Sequence, residues 1–304
     1  MSSKTRSKAR SKTRVYLAVA AFCAIVLVGL TLAVSSGSGS EDEDDTFLGK
    51  ERISVGMHND LPGISYEENY RRSGLDQLVF EQIKEGLHIK SASPSNVSSE
   101  GRIPALEKGE VDMVIAAFSI TPDRMKEIDF VGPYATTRQG FLVGPKSTVR
   151  ELKDFKGGAV CSWEGTTSVA TLEEFRREGI EIKTLVDASD CIDALKSGEV
   201  QAVSTDQLIL YGFARHHAKD GLRVVPGVTI GAPQHYGIGL PKGHRADCLK
   251  LREFVKRYVE SSDWIRDMET SLPDVPAAEP GWISDYKPSD EAIDARSCRD
   301  EPSA

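Results

Sequence analysis

Between residues 52 and 260 short apolar runs alternate with segments whose apolar residues recur at helical spacing. Arg52-Ile53-Ser54-Val55-Gly56 reads as a strand, and Leu75, Leu78, Val79, Ile83 and Leu87 mark the helix that follows. Val111–Phe118, Phe141–Val143, Gly158–Cys161, Val200–Ser204 and Tyr236–Leu240 read as further strands. Helices are expected near 168–177, 189–197, 206–217 and 246–260. Strands alternating with helices imply an α/β fold with largely parallel sheets. In such folds ligands bind beyond the carboxyl ends of the strands, where helix N-termini offer free N–H groups.

The ends of the chain differ from this body. Lys4, Arg6, Lys8, Arg10, Lys12 and Arg14 make residues 1–14 a basic tail. Val15–Val34 follows without a charge and is long enough to cross a bilayer. The pattern predicts a cytoplasmic N-terminus, a transmembrane anchor at 15–34 and an exported body. The alternative is a cleaved signal peptide, with Ala33-Val34-Ser35-Ser36 as a weak cleavage site. Cys23 sits mid-run behind Phe22, which argues against lipidation there. Residues 35–50 are Ser, Gly and then acidic, as in a solvated linker. The segment 273–304 is rich in Pro, Ala, Asp and Ser and reads as a loosely ordered tail to which Trp282 and Tyr286 add docking points.

A formal net charge of -8 argues against nucleic acid as partner. Of the five cysteines, Cys161, Cys191, Cys248 and Cys298 lie outside the apolar run. They allow three pairings, and their spacing matches no zinc or redox motif. With no His-rich cluster, P-loop or nucleophile elbow, neither a metal nor a cofactor is expected.

Three post-strand segments carry candidate chemistry. In Ser119-Ile120-Thr121-Pro122-Asp123-Arg124, Thr121 and Pro122 start a helix and Arg124 falls in its first turn. A cation there opposes the helix dipole, so a bidentate clamp on a ligand carboxylate is one explanation. A surface pair with Asp123 or Glu127 is the other. Cys161–Ser168 offers hydroxyls and backbone N–H groups that suit an anion, or an ordinary capped loop. Asp206, after Ser204-Thr205, either caps a helix or receives an ammonium group. One arginine, one anion-friendly loop and one acid suit a zwitterion.

The chain resembles the amino-acid-binding proteins of bacterial polar amino-acid ABC importers. The motifs are Gly101–Leu106 with Gly109 and Val111-Asp112, Ser119–Arg124, Ile128-Asp129-Phe130, Gly132-Pro133-Tyr134, Gly165–Ser168, Thr205-Asp206 and Tyr236–Gly239, across roughly residues 51–272. Asp60-x-Pro62-Gly63 and a cysteine pair placed like Cys161 and Cys191 look most like actinobacterial-type glutamate-binding proteins. The chain departs from them in lacking the usual lipidated cysteine and in having Trp163 and Glu164 in the 165 loop. Glu164 would repel an acidic ligand if it pointed inward.

The resemblance implies a two-lobed type II periplasmic-binding fold, with lobe 1 at 51–142 and 235–272, lobe 2 at 146–232, and a ligand trapped on closure. It implies that Arg124 holds the α-carboxylate, aided by Ser119, the backbone near Ala117, Thr166 and Thr167, and that Asp206 holds the α-ammonium. Ser99, Arg102 and His58 would meet the side-chain carboxylate of glutamate or aspartate, with His58 as an imidazolium. For Arg102 a salt bridge to Glu100 or Glu107 is the alternative. It also implies a Cys161–Cys191 disulfide, leaving Cys248–Cys298 to join the tail to the late helix. The expected partners are an acidic amino acid, ABC permease subunits and the membrane, at its extracytoplasmic face. Two other functions stay open: a sensor acting in trans on a membrane partner, and a dehydratase on the same fold.

Overall fold

A computed structural model describes residues 46–299. The basic tail, the apolar run, most of the linker and residues 300–304 lie outside them. Among the described residues no helix is long and apolar enough to cross a membrane.

The first lobe is built on β1 (Ile53–Met57), whose apolar residues Ile53, Val55 and Met57 share one buried face. Strands β2 (Asp60–Leu61), β3 (Ser65–Glu68) and β4 (Arg71–Ser73) form a small separate sheet beside it. Helix α1 (Leu75–Gly86) turns Leu75, Val79, Phe80 and Ile83 inward, the i, i+4, i+5, i+8 stripe of a surface helix. β5 (Ala92–Asn96), α2 (Arg102–Glu107), β6 (Met113–Ser119) and α3 (Pro122–Glu127) follow. β1 lies between β5 and β6 and runs parallel to both.

The chain then enters β7 (Asp129–Val143), a strand of 15 residues. Its second half belongs to the other lobe, with β8 (Ala159–Trp163), α4 (Thr167–Phe175), β9 (Glu181–Leu185), α5 (Ala188–Ser197), β10 (Ala202–Asp206), α6 (Gln207–His216) and β11 (Arg223–Val224). The return strand is β12 (Ile230–Leu240). β12 pairs with β6 and with the first half of β7, whereas Gln139–Val143 of β7 pairs with β10. These two strands are the crossings between the lobes. The sheet runs in the order β5-β1-β6-β12-β7-β10-β8-β9, with β11 on β7.

Helices α7 (Arg245–Glu260) and α8 (Ser262–Ser271) close over the first lobe. Beyond them the expectation of a loosely ordered tail is corrected. α9 (Val275–Ala278), α10 (Trp282–Tyr286) and α11 (Asp290–Arg296) are docked helices, and Val275, Trp282, Tyr286 and Ile293 are buried. Trp282 stacks on Trp264 at 5.8 Å, and the Ser297 hydroxyl bonds both backbone groups of Gly132. Each short helix has too few apolar residues to show a period, so composition alone suggested a loose segment. The linker likewise ends earlier than position 50: Phe47 is buried, and its N–H donates to Asp247 Oδ2 at 2.6 Å.

Cys161 of β8 is bonded to Cys191 of α5, and Cys248 of α7 to Cys298 after α11. Their Cα separations are 5.6 and 5.7 Å.

Candidate ligand cleft between the lobes

The carboxyl ends of β1, β5 and β6 in one lobe face those of β8 and β10 in the other. Between them lies a narrow cavity of about 20 Å³, room for about one water molecule, so the lobes stand close together. His58, Ser99, Arg102, Ala117, Ser119, Arg124, Thr166, Thr167 and Asp206 all line it, as do Leu61, Trp163, Ser168, Thr205 and Ile209.

Thr121 caps α3, its hydroxyl accepting from Arg124 N at 3.3 Å, with Pro122 in the first turn. The Arg124 guanidinium donates to Ser119 O and to Gly165 O, each at 2.8 Å. The alternative partner Asp123 pairs instead with Lys126. Two of the five Arg124 side-chain donors are thus engaged.

Arg102 is a different case. Its Nε donates to Ser99 O at 2.9 Å, Nη1 to Ala116 O at 2.9 Å and Ala117 O at 3.3 Å, and Nη2 to Gly165 O at 3.0 Å. Neither Glu100 nor Glu107 is among these partners. The expectation of a free fork for a side-chain carboxylate is therefore corrected: most Arg102 donors hold backbone. What Arg102 brings to the cavity is a buried positive charge, stacked over Phe118 at 4.4 Å.

Ala117 also differs from expectation. Its N–H donates to Asp76 Oδ2 at 2.9 Å and its carbonyl accepts from Arg102, so both backbone groups are used within the lobe. It sits at φ 44, a left-handed conformation that costs a residue with a Cβ. Asp76 Oδ1 accepts from the Tyr134 hydroxyl at 2.6 Å, completing a buried brace under the strand end.

The second lobe meets this surface through Gly165, whose carbonyl accepts from both guanidiniums. Gly165 sits at φ 71, and a Cβ there would lie 2.3 Å from Glu100 N. The lobes thus touch backbone to backbone. Thr166 donates its hydroxyl to Trp163 O at 2.7 Å, and Thr167 and Ser168 open α4 at the cavity wall. Trp163 is buried, its Nε1–H donating to Ser99 Oγ at 3.3 Å. Glu164 is exposed and does not line the cavity, so the condition for repelling an acidic ligand is not met.

Asp206 is buried at the start of α6, but its side chain makes no cap bond. Oδ2 accepts from the Tyr236 hydroxyl at 2.8 Å, and Oδ1 has no partner.

The sequence profile of the bacterial extracellular solute-binding proteins, family 3, matches residues 53–261. The chain belongs to this family. It is 31% identical over 235 residues to the glutamate-binding protein GluB of Corynebacterium efficiens, covering 73% of this chain and 79% of that one. It is 29% identical over 212 residues to the ABC transporter glutamine-binding protein GlnH of Bacillus subtilis, covering 68% and 76%. Among solved structures, an ancestral arginine-binding protein bound to arginine matches with a TM-score of 0.66 at 26% identity, covering 73% of this chain and 99% of that one. The two-lobed type II fold follows, and family membership places the body outside the cytoplasm.

In this family-3 solute-binding protein the charges of the cleft are set mainly by burial. Burial pushes Asp206 up to about 6, opposed by the Tyr236 hydrogen bond, Arg102 and Arg124. Burial pushes Arg124 down to about 10, with Asp206 opposing. His58 is driven down to about 3 by burial and then by Arg102. It is therefore neutral in the ligand-free cleft, where burial beside a guanidinium disfavours a second positive charge, although Asp60 Oδ1 lies 3.7 Å from its Nδ1. Its Nε2 lies 3.4 Å from Ser99 Oγ.

The lining residues that the sequence did not single out are Leu61, Ser168, Thr205 and Ile209. Leu61 and Ile209 look like ordinary core, whereas Ser168 and Thr205 sit inside motifs already noticed. Asp76 had a usable signal, an acid in the first turn of an otherwise apolar helix face.

Proposed function

We propose that this protein binds one free α-amino acid between its lobes, with glutamate or aspartate preferred, and delivers it to an ABC permease. Anchoring through residues 15–34 would keep it at the outer face of the membrane. The observation that carries the reading is the unpartnered, buried Asp206 Oδ1 on the cavity that also holds Arg124. A buried acceptor without a partner costs free energy that an ammonium group recovers. Arg124 retains donors for the α-carboxylate, and the N-terminus of α4 adds N–H groups for the same anion.

The acidic preference rests on charge. Among the residues that line the cavity, Arg102 and Arg124 are positive, Asp206 is negative and His58 is neutral, which leaves one positive charge at the wall. An amino acid with a side-chain carboxylate carries one negative charge and balances it. A cationic ligand would add to the excess in a closed, poorly solvated site. Resemblance to a glutamate-binding relative points the same way.

Calorimetry of residues 46–304 against the twenty amino acids tests this. Glutamate or aspartate should bind at least about tenfold more tightly than glutamine or asparagine, a difference of about 1.4 kcal/mol. Equal or tighter glutamine binding would return the protein to a general polar amino-acid binder. Incubation with prephenate or arogenate should yield no aromatic product, in keeping with binding without chemistry.

A further inference from the structure

The family match ends at residue 261, but the chain continues through α8–α11 on the surface of the first lobe. Trp264 donates to Tyr134 O, Cys298 N to Phe130 O, and the Cys248–Cys298 disulfide fixes the far end. Among the described residues, two polar contacts run from this segment to the second lobe, and both go to α6. The Tyr211 hydroxyl donates to Glu279 Oε1 at 2.6 Å, and Arg215 Nη1 lies 3.0 Å from Asp274 Oδ1.

The two contacts differ in weight. Arg215 and Asp274 are both more than half exposed, so their pair is screened by water. Tyr211 is only 8% exposed. Burial and Glu279 raise its pKa, so the hydroxyl stays a donor to a charged acceptor. Between Tyr211 and Arg215 the backbone itself is in contact. A Cβ on Gly212 would sit 1.8 Å from Pro62 O, and one on Gly63 would sit 2.7 Å from Leu272 Cδ2 and 3.2 Å from Gly212 Cα. The first lobe, α6 and the C-terminal segment meet at this point.

Helix α6 starts directly after Asp206 and places Ile209 on the cavity wall. Whatever holds α6 therefore holds one side of the cleft. We infer that Glu279, acting through Tyr211, is a positioning residue for cleft closure: the segment beyond residue 261 clasps α6 to the first lobe and thereby strengthens ligand binding. The clasp stands on the contacts alone, and its effect on affinity rests on the proposed ligand.

The test uses the full-length chain with spin labels at Glu110 and Glu178, one in each lobe, introduced as unnatural amino acids that leave both disulfides alone. In ligand-free protein, Tyr211→Phe and Glu279→Ala should each shift the interlobe distance towards longer values. Each should also raise the dissociation constant for L-glutamate roughly three- to tenfold, as expected for the net loss of one partly exposed hydrogen bond, through faster release. Tyr211→Phe should add nothing in the Glu279→Ala background. Glu279→Gln, whose amide oxygen still accepts, should recover part of the loss. Unchanged distances in both single variants would overturn the clasp. Wild-type protein that binds no glutamate would reject the acidic-ligand reading, and the ligand-free distances would still decide the clasp.

Discussion

Tyr236 of β12 and Asp206 of β10 are joined across the lobes by a 2.8 Å hydrogen bond to Oδ2, which turns a helix-starting acid away from its own helix. The other oxygen is left for a donor from the cavity. Four predictions follow from this arrangement and its surroundings.

The first concerns pH. An ammonium group binds the ionised form of Asp206, whose pKa in the free protein is raised to about 6. Binding therefore lowers that pKa, and protons compete with ligand below it. Affinity should be flat above pH 7 and fall by about tenfold per unit as pH drops below 6. No decline is expected as pH rises through the histidine range, because His58 is already neutral. Asp60 and Asp76 are raised to about 6 and about 7, so the profile should be repeated in Asp60→Asn and Asp76→Asn. A slope lost in either variant would move the titration away from Asp206.

Arg124→Ala should abolish measurable amino-acid binding while leaving the fold intact. Truncating one partner of a buried charge pair costs on the order of 2–5 kcal/mol. Calorimetry with circular dichroism as a folding control decides it, and near-normal affinity would place the carboxylate clamp elsewhere.

Ligand should change the fluorescence of Trp163, which lines the cavity and donates to Ser99. The other two tryptophans are stacked together away from the cleft. Trp163→Phe should remove most of the signal. If the variant keeps it all, the reporter is Trp264 or Trp282.

Replacing Cys161 and Cys191 by serine opens a loop of 30 residues in the second lobe. The chain-entropy account gives a loss of roughly 3–4 kcal/mol, visible as a lower Tm in thermal unfolding. Peptide mapping without reduction should recover Cys161–Cys191 and Cys248–Cys298 as the linked pairs.

The buried strands and amphipathic helices were legible because burial imposes a period on the sequence. β7 was seen only at Phe141–Val143, since Gly132-Pro133 and the polar Thr136–Gln139 interrupt its apolar pattern. β12 opens on Ile230 and then runs through the exposed Gly231-Ala232-Pro233, and β5, ASPSN, is a polar edge strand with the Pro that edges tolerate. In the cleft, positions just after strands were a sound guide to which residues come together. Where their donors go was not legible. Arg102 looked like a ligand fork, but its partners are carbonyls supplied by three other segments. No local pattern encodes such contacts.

Gly165 gives the cleft a mechanical character that side chains would not. Its backbone rests on that of Ser99 and Glu100, with no room for a Cβ between them. A side chain at that seam could rotate aside for a longer ligand, whereas two abutting backbones cannot. The seam therefore acts as a hard stop, and the pair of lobes works like a caliper with a fixed zero. A ligand one methylene too long would prop the jaws apart and lose the contacts on both sides at once. Discrimination by length would then show in dissociation rate, graded by how far the caliper fails to shut.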